Sequence, residues 1–335
     1  MTAADRQTAR RRSAVVVSVV GVMLCVTFLA FARVPSTVVG LDLTATGLTL
    51  RIADGPVVLH EAMDAEYVGM LTPASVSIPG DAEAPAAEID VAALFLTFAA
   101  DAGSGPPGRL RVEGVTVPPE ASVSLEASGD SGEPNRYVME IRGGVQELRI
   151  LAMGPIRVRA TGGRDEIRAY PSARVIGLRP AGDTLRLEVR LPDGAVARLS
   201  PQLAVDSLDL FRGSLRSESG AVARRAVSTV SGGDLYLEAL GGEQMTLRED
   251  QNLRFASVDG VLRRVEMTDG MVELDYYGSV RGMSTGSLEY RRSLMPTWLA
   301  WIRAQDGWIV MWGVLVYLLG LARGVIALWG PSKPS

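Results

Sequence analysis

The chain has 335 residues, and its composition excludes several functional classes. It carries 34 Lys and Arg against 38 Asp and Glu, a formal net charge of −4, so it lacks the basic surface of a nucleic-acid-binding protein. A Cys/His metal site needs more than the single His60 and the single Cys25. The only Lys is Lys333, which excludes a Walker-A phosphate-binding loop. We therefore expect neither a metal nor a cofactor.

The first element is an apolar segment near the N-terminus. The mean hydropathy of the chain, +0.18, is unusual for a soluble protein and indicates membrane segments. Residues 14–32 are uncharged and mostly apolar, long enough for one membrane-spanning helix. Four Arg residues and one Asp precede them, which favours a cytoplasmic tail at residues 1–13. The alternative is a cleaved signal peptide, because Ala30-Phe31-Ala32 has the form of a cleavage site. Either interpretation exports the chain that follows.

Most of the chain, residues 33–292, is predicted to be an all-β extracytoplasmic domain with antiparallel strands. Apolar residues alternate with polar ones in many short segments, most clearly at Leu185, Leu187, Val189 and Leu191. We expect a sandwich, a jelly roll or an elongated stack of short strands, in one domain or two. No convincing amphipathic helix occurs between residues 34 and 292. The exported domain has no Cys, so no disulfide is expected there.

Glycine-containing dipeptides and polar stretches predict the turns and loops of this domain. Three exposed loops are expected, at residues 79–90, 101–108 and 129–135. Short turns are expected at eight dipeptides, namely Asp54-Gly55, Gly143-Gly144, Gly162-Gly163, Asp193-Gly194, Gly232-Gly233, Gly241-Gly242, Asp259-Gly260 and Asp269-Gly270.

The next segment, residues 293–306, is predicted to be an interfacial amphipathic connector. Pro296 suits a first helical turn, and Leu294, Trp298 and Trp301 recur at helical spacing. Such a helix lays its apolar face on the outer leaflet of a membrane. The alternative is a rigid connector packed against the β domain.

Residues 307–329 are predicted to form a second membrane-spanning helix, followed by a short cytoplasmic tail at 330–335. Tryptophan prefers the headgroup level, so Trp308 and Trp312 mark one interface and Trp329 the other. Arg323 lies close enough to the helix end to reach the interface.

Small residues on both apolar segments predict helix packing within the membrane. Gly313, Gly320 and Gly324 recur along the second segment, and Gly320-x-x-x-Gly324 is a helix-pairing motif. Ser18 and Gly21, with Cys25, form a comparable face on the first segment. The alternative is that glycine is simply common in membrane helices.

Several residues were considered for catalysis or metal binding, and none is assigned such a role. Gly282-Met283-Ser284-Thr285-Gly286 matches the nucleophile-elbow pattern, but the only His lies upstream, so we interpret it as a Gly-rich turn. His60 is interpreted as a structural residue at a strand end. Asp269, Glu273 and Asp275 lack the dense ligand loop of a calcium site and are interpreted as carboxylates on a solvated strand.

The sequence favours a non-enzymatic protein of a bacterial cytoplasmic (inner) membrane, with both termini cytoplasmic and the central domain in the periplasm. The excess of Arg over Lys, with abundant Ala, Gly and Val, suggests the bacterial source. We expect the β domain to bind an envelope lipid, polymer or protein, or to scaffold a transport or assembly complex. A membrane-protein partner, or self-association, is expected through the apolar helices. The alternative is an envelope polysaccharide hydrolase that uses paired carboxylates.

Overall fold

The computed structural model describes residues 20–21, 23–80, 86–99, 108–128, 135–145, 147–161, 165–218, 221–249, 251–286, 291–305, 307, 312–313, 316–317 and 320. Strands hold 63% of the residues, mostly in one large sheet, which confirms the predicted all-β class. The chain divides into a β unit, Val38–Tyr236 with Gln244–Leu294, and a terminal unit, Met1–Thr37 with Leu237–Glu243 and Met295–Ser335.

The strands follow one another along the chain with few other elements between them. A 3-10 turn, Glu238–Leu240, and a short helix α1, Trp298–Ala304, accompany them, and residues 23–31 are also helical. The strands are β1 Thr37–Ala45, β2 Gly47–Ile52, β3 Val57–Val58, β4 Met63–Ala65, β5 Tyr67–Met70, β6 Ala74–Ile78, β7 Ala87–Val91, β8 Leu94–Phe98, β9 Arg109–Val112, β10 Thr116–Val117, β11 Ser122–Ala127, β12 Arg136–Arg142, β13 Leu148–Ala160, β14 Glu166–Pro180, β15 Thr184–Arg190, β16 Ala197–Arg198, β17 Leu203–Asp209, β18 Phe211–Glu218, β19 Ala221–Ser228, β20 Val230–Leu237, β21 Glu243–Leu247, β22 Leu253–Thr268, β23 Met271–Gly286 and β24 Arg291–Ser293.

The large sheet is a continuous antiparallel ribbon. From one edge its hydrogen-bonded neighbours are β7, β6, β14 and β13, and β13 then pairs with both β8 and β9. The ribbon continues from β8 through β5, β15, β12, β11, β2, β17, β22 and β23. Of these pairings, β6–β7, β13–β14, β11–β12 and β22–β23 join consecutive strands, and the others join strands that are not consecutive in the chain. Strands β18 and β19 form a separate hairpin.

The core lies on one face of each strand, because side chains alternate between the two faces of a pleated strand. The predicted apolar positions of β15, Leu185, Leu187 and Val189, are all at most 4% exposed. The same holds for the alternating leucines of β1 and β2, each at most 2% exposed. Burial of these side chains stabilises the unit by about 25 cal/mol per Å² of apolar area removed from water.

Two of the eight predicted turns are wrong, because the glycines there belong to strand interiors. Gly232-Gly233 lies within β20, where a Cβ at Gly233 would stand 2.3 Å from the carbonyl oxygen of Asp42, so close strand approach requires glycine. Asp259-Gly260 lies within β22, where Gly260 pairs with Gly278 and a Cβ on either glycine would stand 2.5 Å from the hydroxyl oxygen of Tyr276. Five dipeptides lie between strands as predicted, at Asp54, Gly143, Asp193, Gly241 and Asp269. Gly162-Gly163 lies outside the described residues.

The expected loops are described only in part. Residues 87–90 of the first expected loop belong to β7, which pairs with β6, so the loop prediction is wrong there. Most of the other two loops, namely residues 101–107 and 129–134, lies outside the described residues.

In the terminal unit, a backbone ladder joins the end of the first apolar segment to the start of α1. Residues 23–31 are helical, and Arg33 then bridges Thr297 in an antiparallel sense. Val34 N–H donates to the carbonyl of Pro296 at 3.0 Å, and Trp298 N–H donates to the carbonyl of Ala32 at 3.1 Å. The Arg33 guanidinium also donates to the carbonyl of Met295 at 2.6 Å.

Helix α1 is shorter than the connector predicted at residues 293–306. It begins at Trp298 because the Thr297 hydroxyl caps it, accepting from Ala300 N–H at 3.1 Å. Pro296 therefore lies before the cap rather than in the first turn, and Ser293 belongs to β24. Trp298 and Trp301 meet edge to face, with ring centroids 5.6 Å apart.

Candidate functional site

A groove opens in the β unit where two neighbouring strands separate. Strand β17 pairs with β22 only between Leu203 and Val205, and it carries a register shift between Val205 and Ser207. It continues beside β2 as far as Asp209. Beyond Val205 the edges of β17 and β22 therefore diverge. The space between them, which we call the β17–β22 groove, has a volume of about 540 Å³. That volume is typical of small-molecule sites.

The lining of this groove combines one cation with aromatic and hydroxyl groups. The guanidinium of Arg254 lies over the ring of Phe211, 4.4 Å from its centroid, in cation–π contact. Ser284 is the direct cross-strand neighbour of Arg254, so both side chains stand on the same face. Asp209 is the single carboxylate among the described lining residues, which are Thr49, Asp209, Phe211, Arg254, Phe255, Ala256, Gly282 and Ser284.

The predicted Gly-rich turn at residues 282–286 is wrong, because these residues belong to strand β23. Gly282 lies opposite Ala256 and adopts a left-handed backbone with φ of +64°. A Cβ there would stand 2.9 Å from the Cβ of Ala256. Because Ser284 lies within a strand, the strand–turn–helix context of a nucleophile elbow is missing at this motif. The motif contributes instead to the wall of the groove.

A second groove of about 400 Å³ lies where β8 and β9 meet along β13. Met153, at the bulge of β13, lines it together with Phe98 and Arg109. Its carboxylate, Asp64, is held by Arg111, with Nε 2.9 Å from Oδ1. This groove presents fewer uncommitted polar groups than the β17–β22 groove.

His60 is buried, and one of its ring nitrogens has no partner among the described residues. The ring is 0% exposed, and Nδ1 donates to the carbonyl of Glu61 at 2.6 Å. Nε2 is consequently an unprotonated acceptor, and no donor reaches it among the described residues. Burial lowers the pKa of His60, because a charged imidazolium would be poorly solvated there.

The carboxylates considered for calcium lie along the β22–β23 hairpin. Asp269 occupies its turn, while Glu273 and Asp275 are half-exposed on β23, opposite Glu266 and Arg264. Arg198 binds Glu266 at 2.9 Å. The described residues contain no group of three or more potential metal ligands. The arrangement is that of carboxylates on a solvated strand.

The residues predicted to face or pack within a membrane are described only in part. Trp298 and Trp301 are half-exposed on α1, and Trp312 is 60% exposed. A Cβ placed on Gly21, Gly313 or Gly320 would meet nothing within 4 Å in the described structure. The other predicted residues lie outside the described residues: Ser18, Trp308, Arg323, Gly324 and Trp329.

The helical residues of the first apolar segment present large apolar side chains to their surroundings. Met23 and Leu24 are 66% and 65% exposed, and Phe28 and Phe31 are 65% and 78% exposed. Among the residues that the structure describes, no helix has both the length and the apolar character needed to cross a membrane.

Comparison of the chain with protein-family models, with curated proteins and with solved structures finds no match in any of the three. The function therefore has to be inferred from the residues and their arrangement.

Sequence reasoning missed the β17–β22 groove. Arg254 and Phe211 are 43 positions apart in the chain, and they meet only because β17 leaves β22. The alternating pattern of β22 marks Arg254 as an outward-facing residue but carries no information about the ring above it.

Proposed function

We propose that this chain is a non-enzymatic, membrane-anchored envelope protein, held at both ends by apolar helices, whose β unit presents a ligand groove outside the cytoplasm. The observation that carries the proposal is the backbone ladder between Ala32–Val34 and Pro296–Trp298. This ladder places the exit of the first apolar segment beside the start of α1, nine residues before the second apolar segment begins. A chain anchored twice in one membrane requires both anchors to leave it on the same side.

The exposed apolar surface of residues 23–31 supports the membrane part of this proposal. Exposed Leu and Phe side chains are unfavourable in water, at about 25 cal/mol per Å² of apolar area. A helix that is apolar over most of its circumference is typical of a lipid environment. The Arg cluster before residue 14 then favours a cytoplasmic N-terminus.

The ladder also supports retention of the first segment over cleavage after Ala32. Cleavage there would separate Ala32, whose carbonyl accepts from Trp298 N–H at 3.1 Å, from Arg33 and Val34, which form the rest of the ladder. It would also place a charged amino terminus on Arg33, inside the ladder. Each lost backbone hydrogen bond costs about 0.5–1.5 kcal/mol.

Topology reporters test the proposal directly. A reporter active only outside the cytoplasm should be active after insertion within residues 81–85 of the full chain. The same reporter fused after Ser335 should be inactive, while a reporter active only in the cytoplasm should be active there. Cytoplasmic activity at residues 81–85 would contradict the proposed topology.

We further propose that the glycines of the second segment contact a membrane partner or a second copy of the chain. The open space around Gly313 and Gly320 supports this, since close helix approach in lipid depends on small residues. Gly320→Leu with Gly324→Leu should keep the protein in the membrane while removing a co-purifying partner or self-association. An unchanged partner profile would contradict this contact. Ala322→Leu is the matched control, because a helix would place residue 322 on the side opposite the three glycines.

A further inference from the structure

The β17–β22 groove holds an Arg, Arg254, that contacts an aromatic ring rather than a carboxylate. Elsewhere in the β unit, ion pairs form across neighbouring strands, as for Arg51 with Asp206, Arg149 with Glu113 and Arg198 with Glu266. Arg254 instead contacts the ring of Phe211, and no carboxylate of the described residues forms an ion pair with it. Its guanidinium N–H groups are consequently not engaged by an anion of the described chain.

A second donor stands beside Arg254. The hydroxyl of Ser284, on the directly opposite position of β23, also lines the groove. No hydrogen bond is formed by this hydroxyl within the part of the chain that the structure describes. A planar guanidinium next to a hydroxyl is a donor set suited to phosphate oxygens, which accept several hydrogen bonds at once.

From this arrangement we propose that the β17–β22 groove binds a phosphate ester, with Arg254 and Ser284 on the phosphoryl oxygens. The inference rests on the proposed function, because it names the chemistry of the envelope ligand. A groove of about 540 Å³ holds roughly 18 waters at about 30 Å³ each, which is far more space than one phosphoryl group fills. The remaining space, beside the ring of Phe255, accommodates the organic part of the ester.

The carboxylate of Asp209 makes it possible to test whether the bound ligand is an anion or a cation. Asp209 lines the groove without pairing with Arg254, so it repels a bound anion. Removing its charge should therefore strengthen the binding of a phosphate ester, whereas it would weaken the binding of a cation. This opposite response separates an anion site from a general polar groove.

The experiment measures binding of sn-glycerol 3-phosphate to the full chain in non-ionic detergent by titration calorimetry. Arg254→Gln should weaken binding about tenfold or more, since charge-assisted hydrogen bonds are the strong ones. Arg254→Lys should give an intermediate loss, because Lys keeps the charge but not the planar fork. Asp209→Asn should tighten binding about two- to threefold, as expected for removal of one nearby like charge.

Arg263→Gln is the matched control for these variants. Arg263 lies over the ring of Tyr277 at 4.2 Å, so it repeats the cation–π contact of Arg254 without lining the groove. Its substitution should leave the affinity unchanged. Equal affinities of the wild type and Arg254→Gln, or a loss in Arg263→Gln as large as in Arg254→Gln, would overturn the proposal.

Two further ligands identify the source and the class of the anion. Short-chain dihexanoyl phosphatidylglycerol should bind more tightly than glycerol phosphate if the ligand is a lipid headgroup, and equally tightly if it is a soluble ester; either result supports a phosphate site. Tighter binding of glucuronate than of both would overturn the phosphate assignment. Recovery of the protein in the soluble fraction would contradict the proposed membrane anchoring but leave the groove result standing.

Discussion

Gly282→Ala is predicted to destabilise the β unit for two separable reasons. Gly282 has a φ of +64°, and a left-handed backbone costs a residue with a Cβ about 1–2 kcal/mol. The new methyl group would also stand 2.9 Å from the Cβ of Ala256. Overpacking of that kind costs about 1–3 kcal/mol. The two contributions together predict a loss of about 2–5 kcal/mol.

Gly194→Ala is the matched control, because it has the backbone strain without the contact. Gly194 has a φ of +70° in an exposed turn, and a Cβ there meets nothing within 4 Å. Its substitution should cost only the backbone part, about 1–2 kcal/mol. The difference between the two variants is the contribution of the contact with Ala256.

A double-mutant cycle measures that contact directly. Ala256→Gly removes the methyl group that the new Cβ of Gly282→Ala would meet, so the double variant should recover most of the contact penalty. The assay is urea unfolding of the full chain in detergent, followed by the circular dichroism of the β-sheet. If Gly282→Ala costs no more than Gly194→Ala, or if Ala256→Gly gives no recovery, the geometry described for this kink is wrong.

Three other predictions concern titration and charge. Burial lowers the pKa of His60 below 6.5, so the free energy of unfolding should be constant above pH 6.5 and fall as the pH is lowered toward the pKa of the folded state. Unfolding measured at several pH values should show a smaller decrease for His60→Gln than for the wild type. Burial raises the pKa of Tyr276 from 10.0 to about 12, so stability should fall as the pH rises above 10, and unfolding in alkaline buffers should show a smaller loss in Tyr276→Phe. Glu273 lies directly opposite Glu266, and like charges at such positions are unfavourable, so Glu273→Gln should raise the free energy of unfolding by about 0.2–1 kcal/mol in the same urea assay.

The strands of this protein are largely predictable from the sequence, because one buried face imposes a period of two. Leu208, Leu235, Val272 and Leu274 are predicted to point inward, and each is at most 2% exposed. The pattern depends only on local alternation, so it is readable without knowledge of the partner strand.

Glycine is less informative, since the same residue serves turns and close strand contacts. Asp269-Gly270 is a turn as predicted, with φ of +48° and +73°. Gly260 also follows an Asp but lies within β22, where Gly278 and the hydroxyl of Tyr276 leave no room for a Cβ. The residue opposite each glycine on the neighbouring strand distinguishes a turn glycine from a strand glycine. That pairing depends on the tertiary structure and cannot be read from the local sequence.

The groove could not be predicted for a related reason. It depends on the point at which β17 separates from β22, after Val205, and a register shift of this kind leaves no residue signature. Arg254 reads in sequence as one more exposed Arg among many. Its position in the groove and its contact with the ring of Phe211 both arise from the fold.

The most direct test of membrane anchoring through a retained N-terminal segment is the intact mass of the protein recovered from membranes washed with alkaline carbonate. The ladder between Ala32–Val34 and Pro296–Trp298 predicts that the protein stays with the membranes and that its mass includes the residues before Arg33. A carbonate-soluble product that begins at Arg33 would contradict the account.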